Sequence, residues 1–110
     1  TAFEMYAKTL TLKIQQFGKE SYEVATTFND LGLVLMHLGR FSESLKVFQE
    51  GYVIRRKLLG QNHVDTATII NNMGNCYTYL GKYQNALEAY QQGLAILQEN
   101  HMGDHADIAT

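Results

Sequence analysis

The chain has 110 residues, 45% hydrophobic and 18% charged, which is enough apolar content for one packed domain and far too much for a disordered tail. Nine basic against eleven acidic residues give a formal net charge of −2, so no net field draws the chain to phosphate or to a membrane surface, and generic nucleic-acid binding is disfavoured. A single cysteine, Cys76, excludes an internal disulfide and makes a cytoplasmic setting the default, no apolar run reaches the roughly 18 residues of a membrane span, and the absence of proline favours an all-α fold.

The opening, Thr1-Ala2-Phe3-Glu4-Met5-Tyr6, has no initiator methionine, basic region or signal-like stretch, and reads as an excised piece of a longer protein. Phe3, Tyr6, Leu10 and Ile14 recur at helical spacing and predict a first helix over about 1–16 whose apolar face needs cover. In the next segment Val24, Phe28, Leu31, Leu35 and Leu38 fall on one face of a second helix, which stops at Leu38-Gly39, where a glycine suits the left-handed position after a helix end. A third helix carries Phe41, Leu45, Phe48 and Tyr52 on one stripe and Ser44, Val47, Gly51, Ile54 and Leu58 on another, so it is packed on two sides. Arg55-Arg56-Lys57 near its end complements the helix dipole; a site for phosphate or an acidic partner is the sharper alternative. Asp65 is placed to cap the fourth helix, which ends at Leu80-Gly81, and Glu23 holds the same place before the second, where it caps less well.

Sliding the chain by 42 residues lays Val24-to-Asp65 on Thr66-to-Asp107 without a gap. Ala25/Ala67, Thr26/Thr68, Asn29/Asn71, Gly32/Gly74, Leu38/Leu80, Gly39/Gly81, Gly51/Gly93, Ile54/Ile96, His63/His105 and Asp65/Asp107 coincide, and Phe41/Tyr83 and Phe48/Tyr90 are conservative. The division is therefore a half repeat over 1–23, full repeats over 24–65 and 66–107, and the start of another at 108–110. Each repeat is a helix hairpin. Mid-helix glycines at fixed positions, each costing about 1 kcal/mol of helix propensity, are compensated if one helix backbone closely approaches another. Antiparallel pairs buried on the next pair form an α-solenoid.

Phe28, Leu31-Gly32, Leu35, Ser44, Phe48 and Gly51, then Ile70, Met73-Gly74, Tyr77, Ala86, Tyr90 and Gly93, resemble the signature of the tetratricopeptide repeat over the whole chain. The departures are a period of 42 residues in place of about 34, no tryptophan and no closing proline. The longer period and the His-x-Asp-x-Ala-Thr entry (His63, Asp65, Ala67, Thr68) look like the kinesin-light-chain type. The resemblance implies a right-handed superhelix whose first helices line a concave, protein-binding groove, and a non-enzymatic scaffold without cofactor.

Carried onto this register, the groove is Thr26, Asn29, Leu33, Met36 and His37, then Thr68, Asn71, Asn75, Thr78 and Tyr79. The repeated Asn29/Asn71 pair is the leading contact, because an amide offers the donor and acceptor that an extended peptide backbone requires. Its competitor is a bond between neighbouring repeats that merely sets the superhelix. Leu33, Met36 and Tyr79 either anchor an apolar partner or pack. Neither full first helix contains Lys or Arg, so a carboxylate clamp is unsupported and the expected partner is a neutral or hydrophobic peptide or protein, with Asn29→Ala plus Asn71→Ala expected to abolish its binding.

The competing expectation is structural, a solenoid that self-associates through uncapped ends. His101, Asp104, His105 and Asp107 are the densest metal-competent cluster, but His105 and Asp107 repeat His63 and Asp65, which makes loop and capping roles the expectation and a metal the lesser alternative. Cys76 sits within a helix as a small semi-buried thiol, and the chain carries no phosphate loop, nucleophile elbow or carboxylate pair that would support catalysis.

Overall fold

The structure, a computed structural model, describes the backbone of residues 2–109 and the side chains of residues 4–100. Five helices follow in chain order, α1 (Ala2–Phe17), α2 (Tyr22–His37), α3 (Phe41–Leu59), α4 (Val64–Tyr79) and α5 (Tyr83–Ala109), and the described residues contain no strand. Each helix packs on its neighbour in sequence, and α2 also meets α4 along a shorter line. The resulting body measures 48 × 37 × 19 Å, flat as expected where every hairpin touches only the next.

The core repeats with the sequence. Val24, Ala25 and Ile54 pack with Leu10 and Phe28; one period on, Ala67, Ile70 and Ile96 pack with Ala89 and Tyr52. Between them Leu45, Phe48, Ile69 and Cys76 form the joint that α3 and α4 share. The mid-helix glycines do the expected work. A β-carbon on Gly32 would enter the ring of the fully buried Phe48, and one on Gly51 would lie 2.8 Å from Ile69 Cδ1, 3.1 Å from Phe28 Cβ and 3.3 Å from the Ala25 carbonyl.

The turns after α2 and α4 are built alike. Gly39 and Gly81 adopt φ of 78° and 77°. At the first, the amides of Gly39 and Arg40 donate to the carbonyls of Met36 and Leu35; at the second, those of Gly81 and Lys82 donate to Thr78 and Tyr77. This paired pattern satisfies helix-end acceptors and reverses the chain within three residues.

The helix starts differ from expectation. α2 begins at Tyr22, capped by the Ser21 hydroxyl accepting from the Val24 amide, and α4 begins at Val64, where His63 Nδ1 accepts from the Asp65 amide at 3.0 Å. Ser21 and His63 are one period apart, so the cap lies two residues before Glu23 and Asp65, which fall inside the first turn. α5 also runs on as one helix through Ala109. Its register partner α3 stops at Gly60, whose φ of 90° Met102 at the matching position cannot readily adopt. His101, Asp104, His105 and Asp107 fall on this stretch, and their side chains lie outside the described residues.

Candidate partner-binding groove

The inner face of the solenoid is where α2 and α4 approach each other. Across it the Asn72 amide donates to Asn29 Oδ1 at 2.8 Å. The two residues are separated by one period plus one position, so the first member of a polar doublet (Asn29-Asp30) faces forward to the second member of the next (Asn71-Asn72). Asn29 thus does what the packing alternative required of it, and Asn72 is the residue the repeat alignment overlooks. Each amide still has a group to spare: no further bond engages Asn29 Nδ2 or Asn72 Oδ1 among the described residues.

The other expected groove residues divide. Asn71 turns from the inner face to its own hairpin, where its side chain lies against Gly93. Leu33 and Met36 are half-buried against the Leu45–Phe48–Ile69–Cys76 cluster. In the second repeat their register partners are polar: Asn75 accepts from the Tyr90 hydroxyl, and the Thr78 hydroxyl donates to the Gly74 carbonyl with Tyr90 Oη 3.3 Å away. Tyr79 stays exposed but is stacked on Phe41, centroids 4.5 Å apart and 8° from parallel. Thr68 donates to the Val64 carbonyl at 3.0 Å, and His37 is exposed on the last turn of α2. Thr26 borders a cleft of about 380 Å³ between α1 and α2, its Oγ1 buried without a partner.

Asp30, the register partner of Asn72, lines the cleft between α1 and α2. Burial pushes its carboxyl above the ordinary 3.8, against a smaller opposing pull from Arg55. A carboxyl that holds its proton more tightly folded than unfolded contributes stability at low pH and loses it as pH rises from 3.8 through the higher folded value. Asp30→Asn, which restores the residue of the second repeat, is expected to raise the urea midpoint at pH 7 and to flatten its dependence on pH across that window. An unchanged pH profile would assign the effect to other groups.

The basic run is not a patch. Arg55 is buried, 6% exposed, and donates from Nη1 to the Asp65 carbonyl at 3.0 Å, while Lys57 pairs with Glu20 at 2.6 Å. Only Arg56 is left to face an anion alone, so the alternative of a phosphate site is not supported by this geometry. Cys76 is buried; its Sγ donates to Ser44 Oγ, which donates to the Gly32 carbonyl at 2.6 Å, and burial pushes the thiol up, the reverse of an activated nucleophile. Among the described residues no group of three or more His, Cys, Asp or Glu side chains is placed to hold a metal, and no helix is long and apolar enough to cross a membrane.

A family model for the tetratricopeptide repeat matches residues 23–99. No curated protein matches the sequence. Among solved structures, the crystal structure of BtubC (BKLC) from P. vanneervenii aligns with a TM-score of 0.84 at 26% identity, over 89% of this chain and 39% of its own. The chain thus spans well under half the length of that relative, and shares with it a kinesin-light-chain-like fold. Repeats of this kind generally mediate protein–protein interaction and generally serve as non-catalytic scaffolds. With signature, hairpin geometry and family match in agreement over residues 23–99, the chain belongs to the tetratricopeptide repeat family.

Proposed function

We propose that this chain is an interaction scaffold that takes an extended, neutral or hydrophobic peptide segment along the inner face of α2 and α4. The observation that supports it is the Asn29–Asn72 bond, because a bonded amide pair retains one NH₂ and one carbonyl, the complement of one peptide unit. Holding the two side chains together before the partner arrives lowers the entropy lost on binding. Leu33 and Met36, drawn into the core, supply shape more than anchoring, so the contact rests on backbone bonding. A cytoplasmic setting and the absence of nucleic-acid and membrane partners belong to the same proposal.

The test is selection of binders from a random-peptide library, followed by affinity measurement on Asn29→Ala with Asn72→Ala. The pair is expected to lose about tenfold or more, the scale of one or two hydrogen bonds left unmade, with circular dichroism unchanged. Asn71→Ala, which faces α5, should bind as the parent does. If the Asn29/Asn72 pair binds normally, the groove lies elsewhere.

Self-association is the second reading, favoured by Tyr83, Leu87 and Leu94, which are 70%, 50% and 55% exposed on α5. It ranks lower because α1 and α5 are both second members of their hairpins. Two copies placed end to end would oppose two such helices, whereas within the chain α3 is covered by α4, a first member. Light scattering across a concentration series separates the readings.

A further inference from the structure

A cleft of about 170 Å³ opens where α3, α4 and α5 meet, lined by Tyr52 of α3, Ile70, Met73 and Tyr77 of α4, and Ala89 and the exposed Glu88 of α5. It is separate from the inner face: Ile70 and Asn72 lie about 200° apart around α4. No hydrogen bond or ion pair engages the Glu88 carboxylate among the described residues.

The register shows how unlike its counterpart this cleft is. One period earlier the positions of Tyr52, Tyr77 and Glu88 hold Leu10, Leu35 and Lys46. At the other lining positions Ile70, Asn85 and Gln92 stand where the first repeat has Phe28, Glu43 and Glu50, so the second repeat replaces one phenylalanine and a mixed set of charges with two tyrosines and a single carboxylate. The faces of tyrosine rings attract a cation through their quadrupole, the Met73 thioether adds a polarizable contact, and a carboxylate with no internal partner supplies the countercharge. Tyr52, Met73 and Tyr77 also pack against the core, and the Tyr52 hydroxyl donates to Gln61 Oε1 at 3.1 Å, which holds the walls in place.

We propose that this cleft is a second recognition site, which takes the cationic end of a lysine or arginine side chain from a protein partner held on the α3/α5 side. A stem of three or four methylenes lies along Ile70 and Ala89 while the charged head sits between the tyrosines and Glu88. The site is independent of the inner groove, so a partner can engage either or both.

The experiment is NMR of the whole chain, observing the Tyr52 and Tyr77 rings and the Met73 methyl while a blocked glycine–lysine–glycine tripeptide is added, with a norleucine-centred tripeptide as the uncharged control. Saturable shifts at those three residues are expected with the lysine peptide, about tenfold weaker with norleucine, and weakened by about 0.5 M salt. Glu88→Lys, which installs the charge of the first repeat on an exposed position, is expected to abolish saturation; Glu88→Gln serves if that variant does not fold, and should weaken binding severalfold. Tyr77→Leu should weaken it as well. Equal responses to lysine and norleucine, no saturable shift, or undiminished binding by both Glu88 variants would overturn the assignment.

Discussion

Phe48→Ala is expected to destabilise the protein by about 3–5 kcal/mol, the cost of emptying a large, well-packed aromatic site. Phe48 is 0% exposed, seated on Gly32 of α2 and covered from α4 by Ile69 and Cys76, with Leu33 and Met36 packed around the same cluster. It touches both hairpins, so its loss removes the contact that couples one repeat to the next. In an array where stability is a sum of repeat and interface terms, uncoupling lowers the apparent m value as well as the urea midpoint. Tyr90→Ala provides the control. Tyr90 holds the equivalent place on Gly74 but is 37% exposed, and its truncation is expected to cost less than half as much because less apolar surface is lost from burial. Comparable losses from the two substitutions would mean that hairpin packing, and not the joint between hairpins, dominates stability.

The difference between those sites runs through three positions together. Leu33, Met36 and Phe48 form an apolar trio in the first repeat; Asn75, Thr78 and Tyr90 form a hydrogen-bonded one in the second. The tyrosine hydroxyl would be stranded over Leu33 and Met36, and the asparagine would lack its donor beside a phenylalanine. Such substitutions compensate one another, so each repeat keeps its own packing satisfied with different side chains at matching positions.

Much of this architecture was legible because it was written twice. A glycine at 32 and 74 or at 39 and 81 is ambiguous once, but recurrence at one period separates helix-contact glycines from turn glycines, and the structure puts positive φ at the latter. The hydrophobic stripes fixed helix identity for the same reason. What remained hidden depends on phase finer than a stripe resolves. Asn71 and Asn72 are neighbours in sequence yet about 100° apart around the helix, and only the crossing of α2 over α4 determines which of them meets Asn29. His63 is an unusual cap, so its role could not be separated from that of Asp65 by residue type. Arg55 reads as one cation of an exposed run, and its burial follows from reaching the Asp65 carbonyl across a tertiary contact that no local pattern contains.

Gly51→Val is expected to cost about 3 kcal/mol, at the upper end of overpacking penalties, and to weaken partner binding along with stability. The β-carbon alone would sit 2.8 Å from Ile69 Cδ1, 3.1 Å from Phe28 Cβ and 3.3 Å from the Ala25 carbonyl, so atoms of both α2 and α4 stand in its way. Ile69 can swing its terminal methyl aside, but the Ala25 carbonyl is fixed within the helical ladder of α2, and a branched side chain adds two more carbons. The strain is relieved by moving α2 away from α3, which also shifts Asn29 relative to Asn72 and opens the bond on which the proposed groove rests. Gly93 is the matched control, because the three atoms nearest a β-carbon there all belong to the Asn71 side-chain amide, which has to turn aside to admit it. Gly93→Ala should therefore be neutral or stabilising by up to about 1 kcal/mol, the helix propensity gained over glycine. Urea denaturation of the two variants, with library-selected peptides as the binding probe, measures both effects. Loss of stability at Gly51 without loss of binding would show that the approach of α2 to α3 and the alignment of α2 with α4 are set independently.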